Sequence, residues 1–114
     1  MSDIPKRGEI WMVNWNPARG SEQAGFRPAL VIQNDIGNEK ASTTIVAALS
    51  SSIKEYPMNV LLKPPEGGLK KVSNVKTGQI LTIAKDRLVK RLGVVSKSTI
   101  RKVDKAIKLS LALF

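Results

Sequence analysis

The sequence predicts a mainly β fold, in which a small antiparallel barrel or sheet is followed by one C-terminal helix. Six short segments rich in β-forming residues follow one another closely, and only the last part of the chain has helical periodicity. Closely spaced strands without intervening helices favour antiparallel pairing over a βαβ arrangement. The chain has 114 residues and no internal repeat, so we expect a single domain at residues 1–114.

The first predicted strand covers residues 8–15. It contains β-forming residues and no helix breaker after its first position, and strand alternation places Trp11, Val13 and Trp15 on one face. We expect both tryptophans to lie in the core or at a dimer interface, and not to serve as stacking platforms for bases. The segment that follows, residues 16–25, contains one proline and two glycines, which predicts a long loop of the kind that often carries function.

The next two predicted strands are apolar. Residues 27–33 have the composition of a buried strand, in which Pro28 is tolerated only near the start. Residues 34–38 have turn chemistry. The third strand, residues 43–49, leads into three consecutive serines.

Three more strands and the helix complete the predicted fold. Residues 58–62 form the fourth strand, which the proline- and glycine-rich segment 63–68 ends. Residues 77–83 and 88–95 are the fifth and sixth strands.

The helix begins after Ser96 or Ser98, because either serine can cap its first turn. The helical spacing predicts one apolar face formed by Ile100, Val103, Ile107 and Leu111.

The net charge of +10 lies almost entirely in the second half of the chain. Residues 1–30 carry +1 and residues 31–53 carry −1, whereas residues 54–108 carry 14 basic and 4 acidic side chains, a net +10. Such a cationic excess indicates a polyanionic partner, either a nucleic acid or an acidic protein segment, although a lysine-rich surface that serves solubility alone is an alternative.

The missing residue types exclude whole classes of chemistry. Without Cys there is no disulfide, thiol nucleophile or Cys-ligated metal, and without His there is no Ser-His-Asp triad and no His-ligated metal. Catalysis must then come from Arg, Lys, carboxylates, hydroxyls, Tyr, Trp or the backbone. We also expect a cytoplasmic protein, because no segment is similar to a signal peptide or apolar enough to cross a bilayer.

Three blocks carry a family resemblance: Arg-Gly-Glu-Ile-Trp at 7–11, Gly-Ser-Glu-Gln-Ala-Gly-Phe-Arg-Pro at 20–28, and Ala-Leu-Val-Ile-Gln-Asn-Asp at 29–35. Together they resemble the MazF/PemK family of toxin endoribonucleases, and the block at 20–28 is the specific part. The likeness continues through residues 43–48, 78–83 and the closing helix, so it covers nearly the whole chain.

The resemblance implies an SH3-like β-barrel that forms a homodimer and cleaves single-stranded RNA, such as mRNA, at short sequences. It also implies that cleavage needs no metal or other cofactor, and that an acidic, MazE-like antitoxin inhibits the protein.

The resemblance also implies the roles of individual residues. The family's catalytic arginine falls on Arg27, and its catalytic threonine falls on Ser50, which keeps the hydroxyl but loses the methyl group that restricts χ1. Gly78 stands where many members carry an acidic residue, so one contact of the family is missing. The candidate RNA-binding residues are Arg19, Glu22, Gln23, Phe26, Ser51, Lys76, Gln79 and Arg87.

The chemistry of RNA cleavage suits these two catalytic candidates. A guanidinium such as that of Arg27 can hold two phosphate oxygens at once and stabilise the charge of a phosphorane. An arginine, with a pKa above about 12, is a poor base at neutral pH, so we expect electrostatic stabilisation first and proton transfer second. Ser50 can donate a hydrogen bond to a non-bridging oxygen.

Two other functions are compatible with the same fold class. One is a CcdB-like poison of DNA gyrase that acts through protein contacts alone, although the C-terminal Trp-Gly-Ile of that relative is absent here. The other is an SH3-like module that binds RNA without cutting it. Substitution of Arg27 by Ala separates a nuclease from a binding module, because only the nuclease loses most of its rate.

Overall fold

A six-stranded antiparallel sheet with one long C-terminal helix forms the domain. The computed structural model describes residues 4–16 and 25–113. The strands are β1 (Glu9–Asn14), β2 (Phe26–Val31), β3 (Thr43–Ser50), β4 (Asn59–Leu62), β5 (Ser73–Ala84) and β6 (Leu88–Val94), and the helices are α1 (Asp35–Lys40) and α2 (Lys97–Ser110). The strand order across the sheet is β4-β5-β3-β2-β1-β6. The predicted antiparallel, mainly β fold with a closing helix is confirmed.

Strand β5 is bent at a β-bulge, and it pairs with both β3 and β4. Its register against β3 jumps between the pairs Ala47–Ile80 and Ala48–Lys76, so that residues 77–79 bulge out of the ladder. Thr77 holds the bulge against the rest of the fold, since its Oγ1 donates to the carbonyls of Met58 at 2.5 Å and Ala106 at 3.3 Å. We predicted a start at residue 77, but β5 begins at Ser73, because the part before the bulge pairs with β4 and the end of β3.

Both faces of the sheet are buried. Side chains from five strands, including Ile10, Leu30, Leu49, Leu62 and Val75, pack against Val103 and Ala106 of α2. The opposite face carries Trp11, Val13, Trp15, Ala29, Val31, Val46 and Ile83. Trp11 and Trp15 are only 5% and 7% exposed, which confirms the prediction that they are packing residues.

A short helix replaces the turn predicted at residues 34–38. The Asn34 side chain accepts a hydrogen bond from the Gly37 N–H at 2.8 Å and so caps α1, whose first turn carries Asp35. The Lys85 ammonium donates to the Asn38 and Ala41 carbonyls at the other end of this helix. The same Asn, Asp and Gly residues that favour a turn therefore form a helix here, because side chains form hydrogen bonds with the backbone at both ends of α1.

Ser96 is the N-cap of α2, and its hydroxyl accepts from the Thr99 N–H at 3.1 Å. Val103 is fully buried, and Ile100 and Ile107 pack against the same core. Leu111 was predicted on this face but is the residue after the last turn, and 55% of it is exposed, because the helix ends at Ser110.

Close backbone contact joins the edge of β6 to a 3₁₀ turn at Glu66–Gly68. A Cβ added to Gly68 would lie 2.0 Å from the Leu92 carbonyl oxygen, and one added to Gly93 would lie 2.6 Å from the Gly67 carbonyl carbon. Gly68 also has a φ of 73°, in the left-handed region that favours glycine. These glycines allow the turn to cover the free edge of β6.

No helix among residues 4–16 and 25–113 is long and apolar enough to cross a membrane.

Candidate active site

An open groove of about 670 Å³ lies where the ends of several strands meet. We call it the cationic groove, because five basic residues line it: Arg27, Lys70, Lys71, Lys90 and Arg91. Its other polar side chains are Ser50, Ser51 and Ser73, and no carboxylate is among the described residues that line it. A groove with this composition is suited to bind an extended polyanion.

The backbone of Arg27 is fixed on both sides, and its side chain is exposed. Arg27 is the second residue of β2 and pairs with Val13 of β1. Its carbonyl accepts a hydrogen bond at 3.2 Å from the indole N–H of the buried Trp15, and the next residue, Pro28, has a restricted φ. The guanidinium is therefore presented to the groove from a backbone that has little freedom to move.

Ser50 reaches the same groove from the end of β3. The ladder between β2 and β3 ends at the pair Ala29–Ala48, and Arg27 and Ser50 each lie two residues beyond that pair. The pairing of the two strands therefore brings both residues to the same end of the sheet, where both line the cationic groove.

The Ser50 hydroxyl has a defined orientation. Its oxygen accepts a hydrogen bond at 3.1 Å from the Ser52 N–H, which leaves its own hydrogen available for donation. This contact supplies part of the restriction that the missing threonine methyl group would give. Ser51, the remaining predicted residue of this turn, also lines the groove.

Arg91 enters the groove from β6 and is joined to a buried carboxylate. Its Nη1 lies 3.0 Å from Oε2 of Glu9, which is only 6% exposed. The other carboxylate oxygen of Glu9 accepts from the Lys6 N–H at 2.8 Å and from the Trp11 indole N–H at 3.0 Å. Glu9 thus has fixed partners on both oxygens.

Three predicted RNA-binding residues lie outside the groove. Phe26 is 58% exposed and precedes Arg27 in β2, but it does not line the groove. Lys76 is half-buried beside the bulge of β5, and Gln79 is exposed within that bulge. The structure does not bring these three side chains together with Arg27 and Ser50.

Arg87, a fourth candidate, donates from Nη1 to the carbonyls of Asn14 at 2.9 Å and Asn16 at 2.7 Å. It thereby holds the end of β1 where the chain enters residues 17–24. The two ends of that segment are also joined directly, since the Trp15 N–H donates to the Gly25 carbonyl at 2.8 Å and the Gly25 N–H to Oδ1 of Asn16 at 3.0 Å. Arg19, Glu22 and Gln23, the other three candidates, lie outside the described residues.

Sequence reasoning missed Lys90 and Arg91 as members of the site. Lys70 and Lys71, in the segment before β5, also line the groove. The signal for Lys90 and Arg91 was present, because two adjacent cations interrupt an otherwise apolar predicted strand. Their position beside Arg27 follows only from the pairing of β6 with β1, which local sequence does not encode.

Comparisons with known proteins agree on the relationship of this chain. A family model described as PemK-like, MazF-like toxin of type II toxin–antitoxin system matches residues 6–111. The chain is 41% identical over 112 residues to Endoribonuclease EndoA of Bacillus subtilis (strain 168), an alignment that covers 96% of this chain and 97% of that protein.

Solved structures share the fold. MazF (Form-I) from Deinococcus radiodurans has a TM-score of 0.82 at 23% identity and covers 97% of this chain and 99% of its own. An endoribonuclease in complex with its cognate antitoxin, from Mycobacterial species, has a TM-score of 0.82 at 24% identity, covering 96% and 97% of the two chains.

Proposed function

Because this chain belongs to the PemK-like, MazF-like family of type II toxins and is an endoribonuclease, we propose that it cuts single-stranded RNA at short sequences without a metal. The observation that carries the proposal is the meeting of Arg27 and Ser50, from two different strands, in one groove lined by five cations. A flexible single strand fits an open groove of this kind, and its phosphates match the charge.

The RNA itself supplies the nucleophile in the proposed reaction. Its 2′-oxygen forms a bond to the adjacent phosphorus while the bond from phosphorus to the 5′-oxygen of the next nucleotide breaks. The 2′-hydroxyl loses a proton and the leaving 5′-oxygen gains one, so the products are a 2′,3′-cyclic phosphate and a 5′-hydroxyl. The protein must align the 2′-oxygen with the scissile bond and stabilise the charge on the phosphorane.

Arg27 is assigned to charge stabilisation. Its guanidinium can donate two parallel hydrogen bonds to non-bridging phosphate oxygens, and these bonds strengthen as negative charge accumulates in the transition state. Proton transfer by the same group is the second possibility, since a guanidinium that stays protonated at neutral pH is a weak base.

Ser50 is assigned to the donation of one further hydrogen bond. The Ser52 N–H already occupies an acceptor position of the hydroxyl, so the hydroxyl hydrogen is directed to another acceptor, and a non-bridging phosphate oxygen supplies one.

The test is cleavage of a mixed-sequence single-stranded RNA in EDTA, with mass analysis of the product ends. We expect cyclic-phosphate and 5′-hydroxyl ends from the native chain, and a loss of at least 100-fold in rate for Arg27→Ala, about 3 kcal/mol of transition-state stabilisation. Arg101→Ala is the matched control, because Arg101 is exposed on α2 and does not line the groove. Equal cleavage by the native chain and Arg27→Ala would contradict the assignment of Arg27, and no cleavage by the native chain would contradict the proposed chemistry.

The proposed protein partner is an acidic, MazE-like antitoxin. The five cations of the groove support this partner, because a segment rich in Asp and Glu competes for the same charges as RNA. A peptide of this composition should raise the apparent KM for RNA without lowering the rate at saturating RNA. An acidic peptide that binds without displacing RNA would contradict a shared surface.

We also propose that the chain forms a homodimer. Exposed apolar residues near the end of α2 support a second copy as the occupant of that surface, since Leu61 and Leu109 line a second groove of about 420 Å³ and are 48% and 56% exposed. Leu111 and Leu113 continue the same exposed apolar sequence. Sedimentation at micromolar concentration should give twice the chain mass. Leu109→Lys should shift the chain toward monomer. Leu113→Lys alone tests whether the terminal residues contribute to the dimer contact.

A further inference from the structure

The pair formed by Glu9 and Arg91 has a geometry that packing alone does not require. Glu9 is the first residue of β1, and its side chain is nearly inaccessible to solvent. Burial of a carboxylate is costly unless every charged oxygen has a partner, and here both oxygens have one. Arg91 provides the partner that faces the groove.

Arg91 keeps donors free after it binds Glu9. Only Nη1 contacts the carboxylate, and the side chain is 60% exposed, while a guanidinium has five N–H groups in a fixed fork. In the part of the chain that the structure describes, Arg91 is the one groove-lining cation with a carboxylate partner. Its donors therefore have a defined direction, whereas those of a free lysine do not.

Arg91 differs from its neighbours in the groove because Glu9 largely neutralises its charge. The pair with Glu9 is close to neutral, so Arg91 adds little to long-range attraction of RNA but offers directed hydrogen bonds at short range. Lys90, next to it in β6, has the opposite character, because it lines the groove as a mobile, unpaired charge among the described residues.

From these observations we infer that Arg91 is a second arginine that binds a phosphate of the RNA substrate, and that Glu9 is its positioning residue. The inference rests on the proposed endoribonuclease function. Arg91 holds a backbone phosphate so that the scissile group meets Arg27 and Ser50 in a productive orientation. Glu9 does not touch the substrate, and it acts by fixing the direction of the guanidinium.

Substitutions of the two neighbouring residues of β6, Arg91 and Lys90, should then impair cleavage in different ways. Arg91→Ala should lower the rate at saturating RNA by about 10- to 100-fold, the range for loss of a charge-assisted hydrogen bond. Binding to an RNA with 2′-deoxy nucleotides, which cannot be cut, should also weaken, and its salt slope should fall by about 0.7, because one phosphate contact is lost. Lys90→Ala should weaken that binding and reduce its salt slope to a similar extent, but it should lower the saturating rate less than Arg91→Ala does, because its ammonium has no fixed direction.

A double-mutant cycle tests the role of Glu9. Glu9→Gln should lower the saturating rate several-fold in the native background and have no further effect on Arg91→Ala, because the positioned group is already gone. Arg91→Lys should not restore the rate, since an ammonium bound to Glu9 has no rigid second donor for a phosphate. Asp104→Asn is the control for loss of an ion pair, because Asp104 pairs with Arg7 away from the groove.

Thermal unfolding of every variant separates structural damage from loss of positioning. If Glu9→Gln does not fold, Glu9→Asp replaces it, since this change keeps the charge and moves the carboxylate by one methylene. A folded Arg91→Ala that cleaves at the native saturating rate would overturn the inference while leaving the proposed function intact. Additive losses from Glu9→Gln and Arg91→Ala would overturn the positioning role. A native chain that cuts no RNA would overturn both proposals.

Discussion

Glu66 and Thr99 join the 3₁₀ turn to the first turn of α2 by a hydrogen bond of 2.6 Å, in which the Thr99 hydroxyl donates to Oε2 of the carboxylate. The same oxygen accepts from the Ser96 N–H at 3.1 Å. A carboxylate therefore lies at the N-terminus of α2, where unpaired N–H groups and the helix dipole favour negative charge.

This contact predicts that acid destabilises the fold in part through Glu66. The hydrogen bond from Thr99, with further contributions from Ser96 and the charge of Lys102, lowers the pKa of Glu66 below its ordinary value of 4.5. A carboxyl whose pKa is lower in the folded chain stabilises the fold above its ordinary pKa, and this stabilisation is lost as the pH falls through the folded pKa.

Glu66→Gln should therefore lower the free energy of unfolding at pH 7 by roughly 0.5–1 kcal/mol and flatten its decline below about pH 4.5. Urea unfolding between pH 7 and pH 3 measures both effects. Glu55→Gln is the control, because Glu55 is exposed in the segment between β3 and β4. An unchanged pH profile for Glu66→Gln would contradict the role of this carboxylate.

Ser50 predicts a graded response to substitution. Ser50→Ala removes the donor and should slow cleavage at saturating RNA by about 10- to 100-fold, whereas Ser50→Thr keeps the hydroxyl and restricts χ1, so its rate should equal or exceed that of the native chain. Single-turnover cleavage measures both rates. Ser51→Ala, in the same turn, should have a smaller effect, and a full rate for Ser50→Ala would exclude donation by this hydroxyl.

The lysines of the groove predict a strong dependence of RNA binding on salt. Each phosphate contact to a single strand contributes about 0.7 to the slope of log K against log salt, so the double variant Lys70→Ala, Lys71→Ala should reduce the slope by roughly 1.4. Fluorescence anisotropy with an uncleavable RNA measures the slope. The matched double variant Lys97→Ala, Arg101→Ala removes two exposed charges of α2 outside the groove and should leave it nearly unchanged. Equal slopes for the two double variants would contradict binding in the groove.

The contact between the 3₁₀ turn and β6 predicts that Gly68 tolerates no side chain. Gly68→Ala would place a Cβ 2.0 Å from the Leu92 oxygen at a positive φ, so the free energy of unfolding should fall by more than about 2 kcal/mol. Gly78→Ala is the matched control, because a Cβ there meets nothing within 4 Å, and its effect should be near zero. Thermal unfolding compares the stability of the two variants. Similar losses of stability in both would show that the backbone freedom of glycine, and not the close contact with Leu92, determines the effect.

Most strands and the closing helix were predictable because their signals are local. Alternation identified β1 with the buried Trp11, and a serine before an apolar periodic segment identified the start of α2. Two errors have local causes as well. Residues 34–38 carry signals for both a turn and a capped helix, and the start of β5 is hidden because Ser73 and Asn74 have low strand propensity but are held by pairing with two neighbouring strands.

The candidate site was predictable only where family resemblance located it. Arg27 and Ser50 stand far apart in sequence, and only the pairing of β2 with β3 brings them to one groove. Arg87 was expected to bind RNA, yet its Nη1 donates to the carbonyls at the end of β1, a contact that depends on tertiary structure. Lys90 and Arg91 stand out in sequence as two cations within an apolar strand, but their position beside Arg27 depends on the pairing of β6 with β1.

The joined ends of residues 17–24 have a consequence for how this protein can diverge from its relatives. The Trp15 N–H donates to the Gly25 carbonyl, and the Trp15 indole N–H donates to the carbonyl of Arg27, so residues on both sides of that segment anchor the backbone of Arg27. Substitutions, insertions or deletions within residues 17–24 should therefore leave the position of the Arg27 backbone unchanged. Variation in that segment and conservation of the backbone at Arg27 are in this sense compatible within one chain.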